Sequence, residues 1–221
     1  MDLMDVIGPV MIGPSSSHTA GAVRLGLLAA SILGEEPVSA KIELHGSFAQ
    51  TYRGHGTDLA LLAGLMGWLP DDVRIPEARN FARENGLEYS FAKVNLGELA
   101  HPNTVRFKLI GKEGATCQVT GSSVGGGQVC VTEIDDFPME LNGRLPGVLV
   151  LHRDQCGVIA LVSGQLAEEC INIAGMRVFR TDKGGLAIMI IECDQRVSPE
   201  TIQKIHNLTA VESVRFINNV L

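Results

Sequence analysis

Gly13-Pro14-Ser15-Ser16-Ser17-His18-Thr19-Ala20-Gly21 packs a run of hydroxyls, an imidazole and two glycines into the approach to an apolar segment, Ala22 to Leu33. Pro14 breaks whatever precedes it, serine is a good N-cap, and Gly34 is a stop signal, so the spacing predicts a helix over about Thr19 to Leu33. A helix start with hydroxyls and free N–H groups attracts carboxylate or phosphate. Taken alone, the string reads first as a serine-rich cap that starts a helix and does nothing else. Working outward, Val38 to Leu44 alternates small or apolar with polar residues and predicts a half-buried strand that delivers His45 at its C-terminal end. His45-Gly46-Ser47-Phe48 and Arg53-Gly54-His55-Gly56-Thr57-Asp58 then repeat the ingredients of the first stretch ahead of a second apolar helix, Thr57 to Leu65. Sites in α/β folds collect at strand C-termini and helix N-termini, and both meet here.

Farther along, Glu77 to Asn85 reads as a short helix closed by Gly86. Glu88 to Val94, Thr104 to Ile110, Ala115 to Gly121 and Gln128 to Ile134 read as strands, with a hairpin turn at Gly111 to Gly114. Gly121 to Gly127 is dense in glycine and serine and reads either as a flexible hairpin loop or as an anion-binding nest. Asp135 to Gly143 reads as a connection between domains, and Met1 to Ile12 as a helical or extended lead-in. From Pro146 the order becomes strand Gly147 to His152, helix Cys156 to Glu168, strand Ile171 to Thr181, strand Ala187 to Cys193, helix Pro199 to Leu208 and strand Val211 to Ile217. That is the β-α-β-β-α-β order of a ferredoxin-like unit. The expected fold class is α/β (α+β), an α/β domain over residues 1–142 followed by a ferredoxin-like βαββαβ domain over 146–221.

The 221 residues are 45% apolar and carry a net charge of −7, enough to bury a core in two domains and with no basic cluster to neutralise phosphates. Nucleic acid is therefore not an expected partner. No apolar run approaches the ~20 residues of a membrane span, and the acidic opening Met1-Asp2-Leu3-Met4-Asp5 is unlike a signal peptide, so a cytoplasmic protein without membrane contact is expected. Cys117, Cys130, Cys156, Cys170 and Cys193 are scattered, odd in number and without a Cys-x-x-Cys pair, a pattern of reduced thiols and not of a metal or cluster site.

The strings Gly-Pro-Ser-Ser-Ser-His-Thr, His-Gly-Ser and Gly-His-Gly-Thr-Asp resemble those of the β subunits of bacterial iron–sulfur-dependent L-serine dehydratases, and the resemblance extends over the whole chain. It implies conversion of L-serine to pyruvate and ammonia, together with an α subunit that carries the [4Fe–4S] cluster. It is compatible with a monovalent cation. The N-terminal part also resembles the extra regulatory domain of some phosphoglycerate dehydrogenases. The segment from Pro146 resembles an ACT domain through Asp154-Gln155-Cys156-Gly157-Val158-Ile159 and Asn172-Ile173. ACT domains often bind amino acids and pair side by side. This implies a regulatory ligand near Asp154, Gly157 and Asn172 and a homodimer formed through this segment, with the apolar run Val148 to Leu151 as an edge that needs covering.

Elimination of water from serine requires a base near the α-carbon, and histidine is the default near neutral pH. His55 is the first candidate, because Gly54 and Gly56 allow close approach and Asp58, grouped with the substrate-binding residues, is near enough in sequence to orient the ring. His18 is the alternative base, or joins Ser15, Ser16, Ser17 and Thr19 in holding the substrate carboxylate. His45 reads as functional or as a satisfied imidazole, and His101, His152 and His206 as structural. Two rival readings remain: an amino-acid-sensing regulatory module without a catalytic role, and a hydrolase using Ser17 and His18, which the adjacency of those residues and the lack of a Gly-x-Ser-x-Gly elbow disfavour.

Overall fold

A computed structural model describes residues 9–221 and divides the chain into two compact units, with the boundary between Asn142 and Gly143. The lead-in expected over Met1 to Ile12 lies outside the described residues up to position 8. Pro9 to Ile12 is irregular, and the Ile12 amide donates to the Pro70 carbonyl (2.9 Å).

In the first unit the Ser-rich string forms a π-helical turn, Ser16–Ala20, which runs directly into helix α1, Gly21–Leu33. The helical path thus starts three residues before the expected Thr19. Ser15 caps the turn, its Oγ accepting from the His18 amide (3.3 Å), and π turns of this kind are commonly found at functional positions. Gly34 closes α1 in the left-handed conformation, φ 78°. Strand β1 (Pro37–Leu44) leads through Gly46, φ 56°, into a short helix α2 (Gly46–Thr51) that the sequence reading did not foresee. A side chain at Gly46 would collide with the Pro102 backbone, so only glycine permits this turn. Helices α3 (Thr57–Leu65) and α4 (Ala78–Glu84) follow.

Strands β2 (Glu88–Lys93), β3 (Thr104–Gly111), β4 (Thr116–Gly125), β5 (Gln128–Ile134) and β6 (Phe137–Leu141) complete a six-stranded sheet of order β2-β1-β3-β4-β5-β6. β1 and β2 are parallel, joined by the crossover through α2 to α4, and the other pairs are antiparallel. Helix α1 packs on β4 and β5, and Arg24 Nη1 donates to the Gly127 carbonyl (2.6 Å), fixing the β4–β5 hairpin to the helix. α1 and α3 cross at two glycines. A Cβ on Gly64 would lie 2.1 Å from the Val23 carbonyl oxygen, and one on Gly26 would lie 2.6 Å from that of Leu61, so the backbones touch.

Two expectations are corrected here. Asp135 to Gly143 is not all connection: Asp135 and Asp136, φ 47° and 68°, form a tight turn, and Phe137, Met139 and Leu141 point alternately into the core as the edge strand β6. Pro138 reads as a breaker, yet an edge strand tolerates proline because one side needs no donor. Gly121 to Gly127 is neither a loop nor a nest. β4 continues to Gly125, which pairs with Gln128 across a two-residue Gly126-Gly127 turn, both with positive φ.

The second unit contains β7 (Gly147–Arg153), α5 (Val158–Glu168), β8 (Ile173–Arg180), β9 (Leu186–Cys193), α6 (Pro199–His206) and β10 (Val211–Ile217), the expected ferredoxin-like order. The sheet is antiparallel, ordered β10-β7-β9-β8. Its core holds Val148, Val150, Val162, Leu166, Met189, Ile191 and Ile205. Ser198 caps α6 ahead of Pro199, its Oγ accepting from the Thr201 amide (3.2 Å). The run Val148 to Leu151 is not an edge: β7 lies between β10 and β9, so its continuous apolar character is that of a strand buried on both faces. The edges are β8 and β10.

Candidate active site

The two hydroxyl-rich stretches converge on one imidazole. His18, on the π turn, is 8% exposed and faces α2. Its Nε2 lies 3.1 Å from Thr51 Oγ1 and 3.3 Å from Ser47 Oγ, and its Nδ1 lies 3.4 Å from Ser15 Oγ. Thr51 Oγ1 donates its only proton to the Ser47 carbonyl (2.8 Å), so toward His18 it can only accept. The ring proton therefore resides on Nε2, and Nδ1 is the basic nitrogen, facing the Ser15 hydroxyl. Ser47 belonged to the second stretch as read from sequence, whereas Thr51 carried no signal: it reaches His18 only because α2 brings it back one turn later.

The ring of His18 packs edge-on against Phe48, with centroids 5.2 Å apart, and against His55, with centroids 4.8 Å apart and planes at 88°. Burial, and after it the neighbouring His55, lowers the His18 pKa below the ordinary imidazole value. Both effects favour the neutral form of His18. His55 is its exposed counterpart, set by a backbone bond from its amide to the Thr51 carbonyl (3.1 Å) and followed by Gly56, φ 68°, which starts α3. Its ring makes no hydrogen bond or ion pair to any described residue, so both nitrogens are open to solvent or ligand. Ser15, Ser16 and Ser17 are half-buried on the stretch that carries His18. The amides of Ser16 and Ser17, first in the helical path, have no acceptor within the turn.

Two expected roles change on inspection, those of Thr19 and Asp58. Thr19 is 2% exposed, and its Oγ1, without a hydrogen-bond partner, sits where a side chain on Gly13 would be; it packs beneath the Gly13-Pro14 turn and does not face the opening with the serines. Asp58 does not orient His55. Buried at 3% exposure, its carboxylate is engaged by the Arg79 guanidinium, tying α3 to α4. Arg79, 21 positions away, could not be paired with Asp58 from the sequence. His45 is satisfied, its Nδ1 accepting from the Leu96 amide (3.1 Å), and His101 and His152 likewise bond to local backbone.

The proposed regulatory residues do not converge within one chain. Asp154 Oδ2 accepts from Arg180 Nη1 (2.8 Å) and the Gly184 amide (3.1 Å), contacts that hold its carboxyl below the usual carboxylate range. Gly157, φ 90°, starts α5 at the same end of the sheet. Asn172 lies at the other end, before β8, where Nδ2 donates to Asp194 Oδ2 (2.7 Å) and its amide to Gln195 Oε1 (3.1 Å). The length of β8, about 25 Å at ~3.3 Å per residue, separates the two groups.

The five thiols are distributed over both units: Cys117 and Cys193 are buried, Cys156 and Cys170 exposed, and Cys130 intermediate. Burial pushes the Cys193 thiol up to about 11. No group of three or more His, Cys, Asp or Glu side chains among the described residues is placed to hold a metal, so the donors of the described residues do not fit an iron–sulfur cluster.

Comparison with known proteins connects this geometry to a family. Residues 3–98 match the family described as serine dehydratase beta chain, and residues 148–213 match the AHAS small subunit-like ACT domain. The chain is 42% identical to the probable L-serine dehydratase, beta chain, of Bacillus subtilis over 96% of each chain. It is 38% identical to the L-serine dehydratase, beta chain, of Peptoniphilus asaccharolyticus over 86% of each. A D-3-phosphoglycerate dehydrogenase of Bacillus subtilis is 27% identical over 89% of this chain but only 37% of its own length.

Proposed function

The chain belongs to the serine dehydratase β-chain family and functions within an L-serine ammonia-lyase; from that premise we propose that it supplies the proton-abstracting and carboxylate-binding half of the active site. The observation that supports this is the meeting of the two hydroxyl-rich stretches at His18 and His55, with an open imidazole beside a serine-lined helical start. In this proposal a [4Fe–4S] cluster would be carried by a separate α subunit and would supply the Lewis acid for the leaving hydroxyl.

In this reading the substrate carboxylate lies against the Ser16 and Ser17 amides and the serine hydroxyls. A His55 ring nitrogen takes the α-proton and returns it to the β-hydroxyl as the C–O bond breaks, so that the hydroxyl departs as water and the imidazole is neutral again. The resulting aminoacrylate tautomerises to an imine, and addition of water releases pyruvate and ammonia. His18, neutral behind His55, adds no positive charge to the site and holds the base from the rear by its ring edge. The amino-acid-sensing reading applies to the second unit, where β8 presents an open edge with Val178 exposed at 38%. Two copies would join through that edge, bringing Asp154 of one toward Asn172 of the other in an antiparallel pairing.

Anaerobic reconstitution with the α subunit and a pyruvate assay tests the proposal. The isolated chain is expected to be colourless and inactive, and His55→Ala to lower kcat at least ~100-fold in the complex. An unchanged kcat with a raised KM would reduce His55 to a binding residue and transfer the role of base to His18.

A further inference from the structure

Ser15 does more than cap the turn. Its Oγ accepts from the His18 amide (3.3 Å), which leaves its own proton to donate, and the side-chain acceptor it faces is His18 Nδ1 at 3.4 Å. That nitrogen carries no proton. Thr51 Oγ1, already donating to the Ser47 carbonyl (2.8 Å), holds the ring proton on Nε2 (3.1 Å), and burial keeps the cation disfavoured. A hydroxyl, an imidazole and a third group that fixes the tautomer of the imidazole thus stand in line. This is the order of a nucleophile, its base and the group that orients the base, with the first contact still long, as such contacts often are before substrate arrives.

The sequence disfavours a hydrolase that pairs Ser17 with His18, because adjacent residues rarely achieve nucleophile–base geometry. Ser15, three positions before His18 and one turn away on the helical path, achieves it. Ser15 is itself extended, φ −141° and ψ 122°, and the chain turns helical at the next residue. The serine of an α/β hydrolase stands at the same kind of bend, where the amide that follows it faces the reacting carbonyl oxygen. Here the Ser16 and Ser17 amides head a helical path that runs to Leu33, and neither has an acceptor within the turn. Gly13 and Pro14 are exposed beside the half-buried Ser15, which leaves a small group an approach to its Oγ.

We propose that Ser15 is a nucleophile activated by His18, and that the chain on its own hydrolyses short-chain carboxylic esters through an acyl group carried on Ser15. Ser15 Oγ bonds to the ester carbonyl carbon as its proton passes to His18 Nδ1. The bond from that carbon to the alcohol oxygen then breaks, and the alcohol leaves with the proton from Nδ1. Water attacks the acyl group, giving one proton to Nδ1, and the proton returns to Ser15 Oγ as the acid departs. The sum is ester plus water to acid plus alcohol, with no other reactant. Thr51 fixes the tautomer but brings no negative charge to the developing imidazolium, so deacylation is slow and the acyl form accumulates. The activity requires neither an α subunit nor a cluster and stands independently of the dehydratase reading.

Mixing the full chain alone with p-nitrophenyl acetate tests this. The expected result is a burst of about one p-nitrophenol per chain followed by slow turnover, with a single acetyl group located on Ser15 by peptide mapping after an acid quench. Ser15→Asn keeps a capping acceptor while removing the nucleophile, so it should fold and lose both the burst and the label. His18→Gln should slow acylation at least ~100-fold, and Thr51→Ser should retain it. An acetyl group on Ser47 or on lysines in place of Ser15, a burst undiminished in Ser15→Asn, or the absence of any acetyl-Ser15 at millimolar ester would each overturn the proposal. Hydrolysis that survives in Ser15→Asn and disappears in His55→Ala would assign it to the exposed imidazole and overturn it equally.

Discussion

Thr51 Oγ1 lies 3.1 Å from His18 Nε2 while donating its own proton to the Ser47 carbonyl, and this pair of bonds fixes which nitrogen of His18 is basic. A threonine one helical turn beyond a glycine-permitted bend thereby sets the chemistry of a histidine 33 positions earlier.

Replacing Thr51 by valine removes the acceptor at nearly constant volume. The tautomer preference of His18 should be lost, visible as a change in its ring nitrogen shifts in the chain alone. In the reconstituted complex kcat should fall about tenfold, less than the ~100-fold or more that follows loss of a general acid–base group itself. Thr51→Ser should retain both signals, because its hydroxyl can bond in the same way.

The depressed pKa of His18 gives stability a definite pH dependence. In the unfolded chain the imidazole titrates near 6.5, whereas in the fold it titrates lower, because burial and His55 disfavour its cation. Between the two values the unfolded state binds more protons, so stability should fall as pH drops below about 6.5 and level off once the folded pKa is passed. Thermal unfolding at a series of pH values should show this slope, and His18→Gln should flatten it. His55→Ala removes the second cause of the depression and should narrow the window from its acid end.

Asp58→Asn should act on stability. The carboxylate is buried and its guanidinium partner is half-exposed, so loss of the charge should cost about 1–3 kcal/mol in urea unfolding. A variant that keeps its fold should keep most of its kcat. A large loss of kcat at unchanged stability would return Asp58 to the substrate-binding set.

If β8 is the seam between two copies, light scattering on the full chain should report a dimer, and Val178→Lys on that edge should shift it toward monomer. A dimer unaffected by the substitution would place the contact elsewhere.

What the sequence made legible was local. Helix starts with their own caps, the alternation of β1, and the order of the second unit are written in neighbouring residues, and they emerged with boundaries shifted by a few positions. Residues that act across distance were not legible. Arg79 reaching Asp58 and Thr51 reaching His18 depend on the packing of separate helices, and no spacing rule connects them. β6 was hidden because Pro138 signals a break, and only its place at the sheet edge makes that proline harmless. The apolar run in β7 reads from sequence as an edge that needs covering, whereas its two-faced hydrophobicity is that of an interior strand.

The contact of Gly26 with Gly64 works as a gauge. His18 lies two turns ahead of Gly26 on one helical path, and His55 lies just before the helix that carries Gly64, so the distance between the rings is set where two backbones meet with nothing between them. Side chains hop between rotamers and yield under load; bare backbones in contact do not. The tolerance of the site is thus fixed by missing atoms some turns away, and a single methyl group at either glycine would wedge the helices apart and separate the histidines without altering any residue that touches them.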